Sequence, residues 1–543
     1  MHSSPRPEAR LVSAVVEALT PPAPVTAFPS VSLPRRMVSR LIRQVRHTVQ
    51  VWRPQAGRNT ERQRSMQQEL LVSPLVGDPA QLGRAAVVGT TETWTWQQVH
   101  EASIVLARRI RGASAVCNLC SSRLAFLITL LATLRNGSLM VLPPSSSDAD
   151  VAAVLNAQPD TIVVGDAEPG VDPACEGAIL QGVYVACRPE WKPCVASASD
   201  LAWQPAWDAV AVLLHTSGTT GDPQPQPKTL LHLLTGALVL GARLAEEIEG
   251  GLDAVDHFVC SVPAQHMFGL ECSVMLPLVH GSPVLDRRPL LPADVAAAFD
   301  EVGHCAWIAT PMHLRSLVQS GAALPASAFA IVSTMPLGHA LALQSEQLLA
   351  APVLEIYGST ETGALAMRRT ARETRWSPLD GVSLDPAEGA TLGRGAHFAS
   401  PVQLLDEIVV EANGSFTLLG RKADLIKIAG RRASLAGLNL VLQDLPGLGD
   451  GVFYLPATGD PTERLCLIYS GPPLDRAATR RWLRARLDPV FLPRDFIRLE
   501  RMPRSETGKL RLHSLDLAYS DWQAAARPQR GKRATPARER AVA

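Results

Sequence analysis

Between residue 76 and about residue 420, short apolar runs alternate with longer segments of helical period. The runs at 116–119, 139–142, 161–164, 210–214, 258–262, 306–309, 330–332 and 353–357 are largely Val, Ile, Leu, Ala and Cys. Strands covered on both faces read this way, without the strict alternation of a half-exposed sheet. Segments such as 124–135, 148–158 and 230–248 carry the helical pattern between them. Strand and helix in alternation predict α/β layers around largely parallel sheet. Past Gly420-Arg421 the units shrink. Helices at 438–445 and 478–487 and strands at 451–454 and 465–469 predict a smaller α+β unit.

The flanks lack this order. Residues 1–75 are rich in Pro, Ser and Arg. Within them Val38, Leu41, Ile42, Val45 and Val49 recur at helical spacing beside Arg35, Arg36, Arg40, Arg43 and Arg46. Such a basic amphipathic helix over 35–51 would bind an anionic membrane surface weakly, and the alternative is a loose extension. The Ala, Arg and Pro composition after 520 predicts a disordered tail. The expected layout is therefore an extension (1–75), a large α/β domain with layered sheets (76–420), a small mobile C-terminal α+β domain (421–520) and a basic tail (521–543).

Charge sharpens this division. Residues 1–64 carry 11 Lys/Arg against 3 Asp/Glu, and 521–543 carry 6 against 2. With the whole chain at +1, the stretch 65–520 is left at −11. A nucleic-acid binder concentrates positive charge on its folded domain, so no nucleic-acid partner is expected. The nine cysteines show no disulfide framework. Cys117 and Cys120 form a lone C-x-x-C with no second pair at zinc spacing, and they are expected to pack in a strand and turn. The longest apolar run, 124–134, is flanked by Arg123 and Arg135 and falls short of the roughly 20 residues of a membrane span. The start lacks a secretory pattern. These features read as a cytoplasmic, reducing setting.

Four segments carry candidate chemistry. The first, Thr216-Ser217-Gly218-Thr219-Thr220-Gly221, follows the strand at 210–214. Glycines admit close backbone approach, and successive N–H groups and hydroxyls form an anion cradle. It lacks the Gly-x-x-x-x-Gly-Lys-Ser/Thr spacing of the common nucleotide loop. It continues through Asp222-Pro223-Gln224-Pro225-Gln226-Pro227 to Lys228, which is expected to begin a helix and to act as a mobile point charge on a polyphosphate. An ordinary linker has the same composition. The second, Tyr357-Gly358-Ser359-Thr360-Glu361-Thr362-Gly363, also follows a strand; Glu361 offers the oxygen that Mg²⁺ prefers, or else caps a helix start. The third runs from Gly420 through Arg421, Asp424 and Lys427 to Arg432, and reads otherwise as a solvated basic hairpin. The fourth, Pro503-Arg504-Ser505-Glu506-Thr507-Gly508-Lys509, reads otherwise as an exposed turn.

In this order and spacing, over about 76–515, the four segments resemble the adenylate-forming superfamily of acyl- and aryl-CoA synthetases, adenylation domains and luciferases. Pro263-Ala264-Gln265-His266-Met267-Phe268-Gly269 resembles its acyl-pocket segment, and Thr310-Pro311 its next loop. The resemblance implies that ATP and Mg²⁺ serve a reaction in which a carboxylate attacks the α-phosphate and pyrophosphate leaves. It implies that 216–221 and Lys228 hold the β- and γ-phosphates. Tyr357 and Gly358 would border the nucleotide, Thr360 would contact the α-phosphate and Glu361 would bind Mg²⁺. Asp406, 14 positions before Gly420, would take the ribose hydroxyls with Arg421, with Glu407 as the fallback. Lys509 would bridge the carboxylate and the α-phosphate. Asp424 would be the hinge, and Lys427 and Arg432 would face the incoming thiol. His266, Met267, Gly269 and Met335 would wall the acid pocket, with Ser333-Thr334-Met335-Pro336-Leu337 where the family often has Gly-Gly-Ala.

The long loop before Lys228, the 357–369 segment and Phe491-Leu492-Pro493-Arg494 look most like ligases of bacterial aryl polyene and xanthomonadin-type pigment pathways. That likeness implies an aromatic hydroxy acid such as a hydroxybenzoate, loaded onto the phosphopantetheine thiol of an acyl carrier protein. The alternatives are a fatty or other acyl-CoA synthetase using coenzyme A, and a non-catalytic nucleotide-binding relative. Amino-acid activation is disfavoured, because His266-Met267-Phe268-Gly269 holds no aspartate to pair an ammonium.

Overall fold

The computed structural model describes residues 79–158, 160–166, 184–187, 198–201, 203, 205–215, 224–387, 390–421, 425–428, 430–456, 464–504, 510 and 512–530. The expected N-terminal helix over 35–51, the loop 216–221, Asp424 and Lys509 lie outside these residues, as does the side chain of Arg421.

The apolar runs become the interiors of two sheets. One has nine strands; its central six, including Ala85–Val88, His257–Cys260, Cys305–Ala309, Phe329–Val332 and Val353–Ser359, pair in parallel, and antiparallel strands finish both edges. The other has six, with Ala115–Asn118, Leu139–Leu142, Thr161–Gly165 and Val210–His215 parallel. One continuous apolar cluster joins both sheets through the helices Arg123–Asn136 and Leu230–Glu247. The first of these helices is apolar on every side, and twelve of its fourteen residues are buried, as expected for a helix sandwiched between layers. Ser122 and Thr229 cap the two helices through their hydroxyls. Cys117 and Cys120 are buried and outside any disulfide, in the strand and the turn after it. Among the described residues no helix is long and apolar enough to cross a membrane.

Past the large sheets come a three-stranded antiparallel sheet (383–404), a two-stranded ribbon (Asp406–Val410 with Phe416–Arg421) and a hairpin (Leu425–Ile428 with Arg431–Ser434). The last sheet pairs Asp450–Tyr454, Cys466–Ser470 and Asp495–Leu499. Its two apolar clusters draw only on residues from 426 onwards.

Two expectations are corrected here. Lys228 does not begin a helix, and the Gln-Pro stretch does not simply lengthen a loop. Pro225–Thr229 is a strand, antiparallel to Val210–His215 at the sheet edge. Proline is tolerated there because an edge strand can leave one side of its backbone unpaired. The helix follows at Leu230. The disordered tail expected from 521 is helical as far as 530, in the helix Leu512–Arg530. Leu515, Tyr519 and Trp522 join the apolar cluster of Tyr454, where Tyr519 packs on both Tyr454 and Trp522, and the Tyr454 hydroxyl donates to Asp516. Of these residues only Trp522 lies past 520, so the helix is anchored mostly by residues ahead of the expected tail.

Candidate active site

The site is built around the turn between Val353–Ser359 and Gly363–Arg368. These strands form a hairpin, so Glu361 sits in a tight turn and not at a helix start. Gly358 is demanded by close approach: a Cβ there would lie 2.1 Å from the carbonyl oxygen of Gly363. The turn is braced by Thr362, whose hydroxyl accepts from Ser359 N–H at 3.2 Å and donates to Gly363 O at 2.8 Å. Thr360 and Glu361 are left half-buried at its tip.

Lys228 meets this turn. Its side chain is buried, and its ammonium donates to the backbone carbonyl of Glu361. Burial pulls the ammonium down to about 8, against the upward pull of the Glu271 and Glu361 carboxylates. The Pro-rich edge strand thus delivers a cation to the turn, although 133 positions separate the two in sequence.

Tyr357 donates to Asp406 Oδ2 at 2.9 Å. Asp406 pairs directly with Arg421 across the ribbon, while Glu407 pairs with Gly420. Tyr357, Asp406 and the backbone of Arg421 are therefore neighbours. Asp406, not Glu407, is the carboxylate tied to Tyr357.

The pocket segment folds back sharply. A Cβ on Gly269 would fall 1.8 Å from Pro263 O. His266, half-buried, precedes the short helix Met267–Leu270. From behind, Gln265 donates to Cys120 O at 2.6 Å, and buried Arg123 donates to Val262 O. Thr334 holds φ +80, a strained conformation for a β-branched residue. Its neighbours hold it: Ser333 Oγ donates to Ile356 O at 3.0 Å, and Leu337 N–H donates to Glu355 Oε1 at 2.8 Å. Gln443 of the C-terminal region also donates to Pro336 O at 2.8 Å, so the Met335 segment is gripped from both sides.

Sequence reasoning missed Glu271. Its buried carboxyl is pushed up to about 7 by burial, against the pull of the Ala364 N–H and Lys228. His397, also buried, contacts Ala364 O through Nε2 at 2.9 Å. Glu271 is the sole charged residue from 263 to 285, and a lone charge in an apolar helical run is the signal that could have found it. Lys427 and Arg432 lie elsewhere, directly opposite each other on an exposed hairpin.

The donor set fits magnesium. Among the described residues no three His, Cys, Asp or Glu side chains cluster as a metal cage. Mg²⁺ seldom uses such a cage; one or two carboxylates plus substrate phosphates and waters suffice. Glu361, flanked by the hydroxyls of Ser359, Thr360 and Thr362, meets that description.

Comparison with known proteins identifies the family. The family of AMP-binding enzymes matches residues 79–388, more than half of the chain. A 4-coumarate–CoA ligase of Cereibacter sphaeroides is 26% identical over 54% of this chain and 69% of its own length. A second 4-coumarate–CoA ligase, of Rhodobacter capsulatus, is 29% identical over 44% of this chain and 59% of its own. Among solved structures, the anthranilate CoA ligase AuaEII in complex with anthranoyl-AMP superimposes with TM-score 0.69 at 14% identity, over 83% of this chain and 98% of that one. At that identity the likeness is one of fold. The chain belongs to the AMP-binding enzyme family and is an AMP-forming ligase of that family.

Proposed function

We propose that the enzyme adenylates an aromatic hydroxy acid, such as a hydroxybenzoate, and passes the acyl group to a phosphopantetheine thiol of an acyl carrier protein. The observation that carries the adenylation step is the convergence of Lys228 on the Glu361 turn, with the Tyr357–Asp406 pair beside it. Attack of one anion on another needs cations and donors aimed at the phosphoryl oxygens. Lys228 supplies charge, Thr360 a hydroxyl donor, and Asp406 with Arg421 the ribose contacts. Glu361 would hold Mg²⁺, which when bound neutralises phosphate charge. The 4-coumarate ligase relatives and the pigment-ligase likeness support an aryl acid.

For the second step we propose that the unit after 420 turns on Asp424 and brings Lys427 and Arg432 toward the thiol carrier. Two like charges directly opposite on a hairpin repel, and an anionic phosphopantetheine or acidic carrier would relieve that repulsion.

Pyrophosphate exchange with a panel of aryl and fatty acids tests the acid. Turnover confined to fatty acids would transfer the assignment to the fatty acyl alternative. Lys228→Met should weaken exchange about tenfold, mostly as a higher KM for ATP, the scale of one charge-assisted hydrogen bond. Equal KM in variant and wild type would remove Lys228 from the phosphate site.

A further inference from the structure

The Glu361 turn stands beyond a register shift. The strands Val353–Ser359 and Gly363–Arg368 pair in step from Glu355 to Tyr357; then Gly358 faces Ala364, and Leu365 is skipped. A bulge of this kind bends the strand and re-aims the side chains next to it. The direction of the turn that carries Thr360 and Glu361 therefore depends on contacts outside the ladder as well.

Those contacts meet at Ala364, the second residue of the return strand. Its N–H donates to Glu271 Oε2 at 3.0 Å, and its carbonyl lies 2.9 Å from His397 Nε2. A carbonyl only accepts, so Nε2 carries the hydrogen. Burial lowers His397 to about 4, which leaves the ring neutral at neutral pH. Both side chains are buried, and they come from separate parts of the chain. Glu271 opens a single π-helical turn, Glu271–Met275, a feature that recurs at functional sites. His397 follows the strand Ala390–Arg394. Gly236, inside the helix Leu230–Glu247, admits the pair: a Cβ there would lie 2.9 Å from Glu271 Oε1 and 3.7 Å from His397 Cδ2. Glycine is a poor helix former, and here close approach accounts for it. Two partners on opposite ends of one residue fix its position in two directions, which a single partner does not. Lys228 then grips the carbonyl of Glu361, three residues earlier.

We propose that Glu271 and His397 are positioning residues for adenylation, clamping Ala364 so that Thr360, Glu361 and Lys228 are aimed at the phosphates of ATP. This rests on the phosphate-site reading above and adds what holds that site in place. Misplacing such groups by a fraction of an ångström is costly, because their donors and charges act only when preorganised.

The test is calorimetric titration of the full-length enzyme with ATP and with AMP, both with Mg²⁺ present, read as the ratio of the two dissociation constants. AMP offers the ribose but lacks the β- and γ-phosphates that Lys228 would meet. Glu271→Leu and His397→Leu each remove one arm of the clamp and should weaken ATP about tenfold, with AMP binding nearly unchanged. Glu271→Gln keeps an acceptor for the Ala364 N–H and His397→Gln keeps a donor for its carbonyl, so each should restore most of the affinity for ATP. A side chain that only supports the fold weakens both nucleotides alike; an unmoved ratio in the leucine variants overturns the proposal. So does a glutamine variant as weak for ATP as its leucine counterpart. Where one leucine variant does not fold, the other arm carries the same comparison. Lys228→Met separates this proposal from the reading beneath it. If it shifts the ratio and the leucine variants do not, the clamp alone falls. If Lys228→Met keeps the wild-type ratio, the phosphate-site reading falls and the clamp with it.

Discussion

Lys509→Ala is expected to lower adenylate formation at least a hundredfold while ATP still binds. The resemblance of residues 503–509 to the last motif of the adenylate-forming superfamily implies that this lysine bridges the carboxylate and the α-phosphate. Removing a preorganised donor aimed at developing charge raises the barrier by about 3 kcal/mol, which is over two orders of magnitude in rate. Arg504 forms a two-pronged ion pair with Asp450, at 2.5 and 2.7 Å. Both partners are largely buried, the setting in which paired guanidinium and carboxylate fix geometry best. Arg504 also bridges to Leu510 in antiparallel register. Pyrophosphate exchange and calorimetric ATP titration on the same preparation separate the two effects. Exchange that persists within a factor of a few would remove Lys509 from the chemistry, and lost ATP affinity would make its role one of binding.

Continuous apolar runs such as 116–119 and 353–357 could be placed from sequence because both sheets are buried on both faces, so the strand signal does not depend on knowing which face is solvated. The site was legible where a motif is local, as at Tyr357–Gly363. It was illegible where contact is set by tertiary approach. Nothing near Lys228 in sequence tells that its ammonium ends on the carbonyl of Glu361. The Pro225-Gln226-Pro227 stretch carries loop composition, and only pairing with Val210–His215 makes it a strand. Glu271 stands out in sequence as the lone charge of the apolar run 263–285, but its contacts with Ala364 and the close approach of Gly236 and Gly363 are tertiary, and local propensity encodes none of them. Thr334 is the reverse case. Its β-branched side chain argues against φ +80, and the anchors at Ser333 and Leu337 override that preference.

Stability should fall steeply as pH drops from about 6.5 toward 4.5, and Glu271 should soften that fall. Burial lowers His280, His313 and His397 to about 4 from an ordinary 6.5. His232 is lowered too, by burial and by Lys228. In this window the unfolded chain binds protons that the folded chain refuses. Each such histidine therefore contributes stability that is present above 6.5 and lost as pH falls, by about 1.4 kcal/mol per pH unit. Glu271 runs the other way. Its carboxyl, raised to about 7 from 4.5, holds a proton in the folded state that the unfolded state has released. Its contribution is present below 4.5 and is lost as pH rises through 7, which offsets one histidine across the window. Three histidines lowered to about 4 against one glutamate leave a net slope of about 3 kcal/mol per pH unit. Chemical denaturation at half-unit pH steps measures it. Glu271→Gln should steepen the slope by one proton, and His397→Gln should flatten it by one. A wild-type slope near zero would mean that these histidines accept protons in the folded state, and so that the packing around Ala364 and the Lys228 ammonium is looser than described.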